Sequence, residues 1–249
     1  MKYSKAPISE CICGIAFKHS IFSDDEVFKI NSELSNKFPT VTICAPLIIE
    51  KYEDGQIQPI FTPDVTGQIL YRRKTRDKKW LMQIQKNILY LNWIRTDGEM
   101  VGSYVGFSTV FKQFIDLIND IEEIVKKDIR KQACFYDLTY RDRIELDSAD
   151  KTNEISDVLT VSIPSDACSG TFDSFAMRNS FSDKDLNGFG IMDINTAVTI
   201  EQKRVLNLGL ILRGQDFKQQ IETWFDEAHK QQLTYFEKMV QPAMLEQWK

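Results

Sequence analysis

The sequence predicts an α+β fold of two halves, each a mainly antiparallel β-meander leading into a long amphipathic helix. Three observations predict it. Leu89, Leu91 and Trp93 alternate along a strand over residues 87–95. Phe107, Val110, Phe111, Phe114, Leu117, Ile118, Ile121, Ile124 and Val125 then recur at spacings of three and four, which puts them on one face of a helix. A second set of period-two runs ends in another helical stripe: Ile221, Trp224, Phe225, Ala228, Tyr235, Phe236 and Met239. We divide the halves as residues 1–130 and 131–249 and expect them to form one compact unit.

In the first half, Cys11, Cys13, Ile15 and Phe17 face one way and Ile12, Gly14 and Ala16 the other. Both faces are apolar or small, so this strand belongs in the middle of a sheet. Ser23 and Glu26 match a capping box, with Phe22 and Val27 placed as a hydrophobic staple. The helix they start should bury Val27, Ile30, Leu34 and Phe38 and stop at Pro39. Residues 41–49 read as a strand interrupted by Pro46, and Pro59 and Pro63 confine the next segment to at best an edge. Strands over 68–73, 79–85 and 87–95 follow, with Trp80, Met82 and Ile84 sharing a face. Lys126, Lys127, Arg130 and Lys131 suit the negative end of the long helix.

In the second half, Tyr136, Leu138, Tyr140, Ile144 and Leu146 face inward, while Asp137, Thr139, Arg141, Arg143 and Glu145 form a wetted face. Residues 148–157 read as a loop, and strands are expected near 158–163, 170–177, 189–200 and 204–213. In the last, Leu206, Leu208, Leu210 and Leu212 share a face. Gly214 should break that strand, and Asp216 with Gln219 should cap a helix that also carries Phe217 and ends at Pro242.

The chain has 249 residues, 43% hydrophobic and 27% charged, which is ordinary globular usage. A net charge of -5 supplies no global attraction to nucleic acid or to an anionic membrane. No apolar run approaches the roughly 20 residues of a membrane span, so no membrane partner is expected. The N-terminal residues lack the apolar core of a signal peptide, and five cysteines fit a reducing compartment better than a disulfide framework. We expect a cytoplasmic protein.

The chemistry-bearing patterns are few. Arg72, Arg73, Lys74, Arg76, Lys78 and Lys79 crowd a hairpin, where they offer polyanion binding with Tyr71 and Trp80 for stacking. The alternative, which we expect, is a solvated turn whose charges keep sheet edges from pairing. Asp183, Asp185, Asn187 and Gly188 match the first half of a calcium loop, but Ile194 stands where its last acid belongs, so a polar turn is expected. Cys11 and Cys13 find no second close pair for zinc, and no metal or cofactor is expected. His19 and His229 are the two histidines available to acid–base chemistry. Glu10, Asp137, Asp142 and Asp193 would serve a metal only if their strands are neighbours.

Motifs along nearly the whole chain carry a resemblance. Lys5-Ala-Pro-Ile precedes Glu10, and Tyr90-x-Asn92-Trp93 comes just before a tyrosine and the Phe-rich helix. Tyr140-Arg-Asp-Arg143-Ile opens the second half, and Met192-Asp193-Ile194 is followed by a helix with His229 and Phe236-Glu237. The chain thus resembles a sporadically distributed family of prokaryotic proteins of about this length and undefined function. The resemblance implies a bacterial or archaeal cytoplasm and an association with mobile elements or antiviral defence, and it lends no catalytic residues. It singles out Glu10, Asn92, Trp93, Tyr140, Arg143, Asp193 and His229 as polar and aromatic candidates, for fold-specifying contacts first and for a site second.

With no phosphate loop, dinucleotide fingerprint or nucleophile elbow present, the expected function is non-enzymatic. We read a binding or accessory protein whose partner is another protein or a second copy, with nucleic acid the weaker candidate. The alternatives are a metal-assisted nuclease or phosphate-handling enzyme, and a self-associating structural protein.

Overall fold

A computed structural model describes residues 3–60, 67–96, 99, 101–146, 154–160, 175–215 and 220–249. It is an α+β protein built on one large antiparallel sheet. The strands are β1 (Ile8–Ala16), β2 (Thr40–Cys44), β5 (Leu70–Lys74), β6 (Trp80–Gln85), β7 (Ile88–Ile94), β8 (Phe135–Glu145), β9 (Ala176–Asp183), β10 (Gly188–Val198) and β11 (Arg204–Gln215). Their order is β2-β5-β6-β7-β1-β8-β11-β10-β9, so β1 pairs with β7 on one side and β8 on the other. A hairpin of β3 (Ile49–Glu53) with β4 (Gln56–Ile60) forms a second, two-stranded sheet of its own.

The helices are α1 (Asp24–Glu33), α2 (Phe107–Val125), α3 (Ile155–Val158), α4 (Ile221–Met239) and α5 (Pro242–Gln247). The two long ones, α2 and α4, lie with α1 against one sheet face. Their apolar stripes, Val110, Phe114, Leu117, Ile118 and Ile121 from α2 and Trp224, Phe225 and Ala228 from α4, form one core with Cys11, Cys13, Ile15 and Trp93. Burial of large apolar side chains at about 1.5–3 kcal/mol each holds these layers together. The expected capping box opens α1: Ser23 N–H donates to Glu26 Oε2 (2.8 Å) and Glu26 N–H to Ser23 Oγ (3.2 Å).

Several elements depart from expectation for local reasons. Helix α1 ends at Glu33 rather than running to Pro39; Phe38, buried beyond the helix, turns its carbonyl to Arg73 Nε (2.8 Å). The run 41–49 divides: β2 joins the sheet beside β5, whereas β3 leaves it to pair with β4, with Pro59 opposite Glu50. The cations after α2 do not serve its last carbonyls; Lys29 of α1 donates to Ile124 O (2.9 Å), and Lys127 pairs with Glu26. Residues 155–158 are a single helical turn instead of the end of a loop and the start of a strand, closed by Glu154 N–H donating to Asp157 Oδ2 (2.8 Å). Of the strand expected near 170–177, Ala176 and Met177 lie in β9, which runs on to Asp183. Residues 170–174, with Cys168 and the expected caps Asp216 and Gln219, lie outside the described residues.

Gly214 does not break β11. It stays in the ladder between Gly188 and Tyr136, where a Cβ on Gly188 would stand 1.9 Å from Arg213 O. Glycine is needed there for close backbone approach.

The face opposite the helices is not uniformly wet. Asp137 and Thr139, expected on a wetted face, are buried. The β3–β4 hairpin folds over that end of the sheet: Ile49 packs on Ala16, Ile88 and Phe135, Tyr52 stacks on Phe189 (5.7 Å), and Gln85 exchanges two hydrogen bonds with the Leu47 backbone. Arg213 locks the cover, reaching Asp137 and Glu50 at 2.7 Å each. What remains open is the opposite end, around Glu10, Arg141 and Arg143.

Candidate functional site

At that end two hollows lie on opposite faces of the sheet, and Asp142 lines both. A β-bulge between Ile8 and Glu10 shifts the β1–β8 register there, so that Glu10 opposes Arg141 and Ile8 opposes Asp142. Bulges re-aim side chains in this way.

The first hollow is a polar trough of about 480 Å³ on the helix-free face, lined by Glu10, Arg95, Arg141, Arg143, Asp193 and Asn207, among others. Pairing across the sheet sets Ile94, Glu10, Arg141, Gly209, Asp193 and Arg178 in one row. Gly209 leaves a gap in the middle of that row. Asn92 donates to Glu10 Oε1 (2.6 Å), Gln83 donates to Asn92 Oδ1 (3.0 Å) and Arg72 donates to Gln83 Oε1 (2.8 Å), so a polar chain crosses four strands to reach the trough. Arg141 approaches Glu10 at 3.5 Å. Arg95 Nη1 is buried without an acceptor among the described residues, and burial followed by the nearby charge of Arg143 lowers its pKa.

The second hollow lies on the helix side, a cavity of about 470 Å³ between the N-terminal segment, β8, the start of α2 and the middle of α4. Its wall is largely aromatic and aliphatic: Tyr3, Ile8, Phe107, Leu210, Leu233 and Phe236. The N-terminal segment is held there by Tyr3 donating its hydroxyl to Glu237 Oε1 (2.9 Å) and Lys5 N–H donating to Trp248 O (2.9 Å). Polar groups converge in one corner. Tyr104 donates to the Tyr140 hydroxyl (3.2 Å), which lies 3.0 Å from His229 Nδ1. His229 stacks on Phe107 at 4.2 Å, and burial lowers its pKa, which favours the neutral ring beside the Tyr140 hydroxyl. Burial raises the pKa of both tyrosines, keeping them phenols. Gln232 is committed to the carbonyls of Leu138 and Leu210 (2.9 and 2.8 Å).

Asp142 is the exception. It is 5% exposed, its Oδ1 has no hydrogen-bond partner among the described residues, and burial pushes its carboxyl up to about 7 against the partial opposition of Arg95. An unpartnered buried acid is costly unless something meets it.

The singled-out residues therefore divide by face. Glu10, Arg143 and Asp193 line the trough, with Asn92 bonded to Glu10; Tyr140 and His229 meet in the cavity; Trp93 is core. The basic hairpin disperses. Arg73 is buried under Phe38 O, Arg72 and Lys74 lie on the helix-free face, Lys79 pairs with Glu99 (2.5 Å), and Arg76 and Lys78 are exposed. Asp183 accepts from Leu186 N–H (3.1 Å) and from the Tyr235 hydroxyl (2.8 Å) in a turn with Asn187 at φ 47°.

The four strand carboxylates do not gather. Asp137 is held by Arg213, and Glu10 and Asp193 stand three strands apart in their row, roughly 14 Å at the usual strand spacing. Among the described residues no group of three His, Cys, Asp or Glu side chains is placed to hold a metal ion. No helix among the described residues is long and apolar enough to cross a membrane. No family model, curated protein or solved structure matches the chain.

Sequence reasoning missed Arg95, Tyr104 and Gln232, and treated Asp142 only as a metal ligand. The parity of β8 carried the signal: Asp142 shares the phase of Tyr140 and Ile144, so it is an acid on an inward face.

Proposed function

We propose that the protein is a non-enzymatic binding protein that holds a small amphipathic molecule in the helix-side cavity. One observation carries this reading: the buried Asp142 carboxyl, whose Oδ1 has no hydrogen-bond partner among the described residues, in the wall of an aromatic cavity of about 470 Å³. That size lies within the usual range of ligand sites, where apolar walls supply affinity and a few convergent polar groups supply orientation. Tyr104, Tyr140 and His229 already satisfy one another, which leaves Asp142 as the group that asks for a ligand. The resemblance noted above supports an accessory or sensing role beside a defence or mobile-element effector. An uncharged environment-sensitive dye such as Nile red tests the cavity. Its fluorescence should rise with the folded protein and fall at least fivefold in Leu233→Trp, which fills the space; equal fluorescence in both would refute the reading.

A second reading, self-association, rests on β2. This edge strand, Thr-Val-Thr-Ile-Cys, carries no charge or proline, and Val41 (48% exposed) and Ile43 (64%) lie bare, as does Phe28 of α1 (72%). Unprotected apolar edges invite pairing with another chain. Light scattering at micromolar concentration should give a dimer that Ile43→Lys converts to monomer; a monomeric wild type removes this reading.

A further inference from the structure

We propose that the helix-side cavity is specific for a molecule carrying a protonated amine on an apolar, ring-sized body, with the amine seated on the carboxylate of Asp142. This rests on the cavity being a ligand site, as argued above, and names the chemistry of what enters it.

The argument is one of unmatched groups. Among the described residues no lysine or arginine lines the cavity, so they supply Asp142 with no cation on that side. Arg95 acts on Asp142 electrostatically from the trough, yet forms no ion pair with it among the described residues, and its own Nη1 also lacks an acceptor. Of the other groups at this corner, Tyr104 and Tyr140 are phenols and His229 is held toward neutrality, so none of them competes as a cation.

A ligand alcohol or amide would satisfy the hydrogen bond but leave the buried charge uncompensated, whereas an ammonium does both. Burial that raises the carboxyl's pKa when the site is empty is reversed once a cation sits beside it. The aromatic wall adds to the preference, because Tyr3, Tyr104, Tyr140 and Phe236 line it and the quadrupole of an aromatic ring attracts a cation to its face and repels an anion. The rest of the wall, Ile8, Leu210 and Leu233, takes an apolar body.

The test uses the full chain and three probes that share one body: phenethylamine, 2-phenylethanol and 3-phenylpropionate, titrated by calorimetry near neutral pH. Phenethylamine should bind at least tenfold more tightly than either of the others. Asp142→Asn should remove that preference, and Leu233→Trp should weaken all binding, with thermal melts confirming that both variants fold. If the alcohol or the acid binds best, and Leu233→Trp abolishes it, the cavity reading stands and the amine assignment is overturned. If phenethylamine binds but Asp142→Asn leaves its affinity unchanged, the assignment to Asp142 is overturned. If none of the three binds at millimolar concentration, both this inference and the ligand-site reading fall.

Discussion

Replacing Asp142 by Asn gives a test that needs no ligand. The carboxyl titrates near 7 in the folded chain and near 3.9 in an unfolded one. Between those values the folded state binds more protons than the unfolded state, so stability falls as pH rises through that window. The gap between about 3.9 and about 7, at 1.36 kcal/mol per pH unit, amounts to ~4 kcal/mol of destabilisation, fully developed above pH 7 and absent below about pH 4. Asparagine does not titrate. Its amide, buried in the same place, costs something that is constant with pH. The difference in unfolding free energy between variant and wild type should therefore shift toward the variant by ~3–4 kcal/mol between about pH 4 and pH 8. Urea melts at a series of pH values measure this directly, provided the slope with denaturant is the same in both proteins. A difference that does not change with pH would refute the reasoning. A variant that becomes relatively less stable as pH rises would show that ionised Asp142 has found a cation in the fold, with Arg95 the nearest source.

Three further outcomes follow from the packing. Phe114, fully buried beneath α2 and against Phe225 (5.7 Å), should cost ~3–5 kcal/mol as Phe114→Ala, and a loss under about 1 kcal/mol in denaturant melts would contradict its place in the core. Arg213→Met leaves Asp137 buried without its cation and frees Glu50, so it should cost ~3–5 kcal/mol and loosen the β3–β4 hairpin, read as faster hydrogen exchange at Ile49 and Tyr52. Arg76→Ala together with Lys78→Ala should leave the melting curve within about 0.5 kcal/mol of wild type, because both side chains are exposed. A polyanion held by this turn would show itself as a slope of log affinity against log salt that flattens by about 1–2 in the double variant.

Local chemistry made the elements readable in advance. Ser23 and Glu26 close their capping box within four residues, Leu206 to Leu212 share a face because a strand has period two, and the α2 stripe is buried because it recurs at helical spacing. Each of these depends on neighbours a few positions away, so the chain alone suffices. The same local reading went wrong where a distant segment decided the outcome. Arg73, one charge among six in a basic run, is drawn inside by the carbonyl of Phe38, and Gly214 stays in its strand because Gly188 allows the backbones to meet. Asp137 and Thr139 lie dry under a hairpin that leaves the sheet after β2.

The candidate site belongs wholly to this second kind. Tyr3, Tyr104, Tyr140, His229 and Phe236 come from the N-terminal segment, the approach to α2, β8 and α4, and no spacing in the chain relates them. Sequence parity held the signal that Asp142 lies on an inward face of β8, although the sequence reading used it only as a possible metal ligand. Only the tertiary structure, by setting the β1 bulge, the start of α2 and the middle of α4 around it, made it a buried acid in a cavity wall with no partner for Oδ1 among the described residues. Burial and partnership are properties of the assembled layers: a carboxyl's desolvation depends on everything packed within a few ångströms, and nearly all of that arrives from elsewhere in the chain.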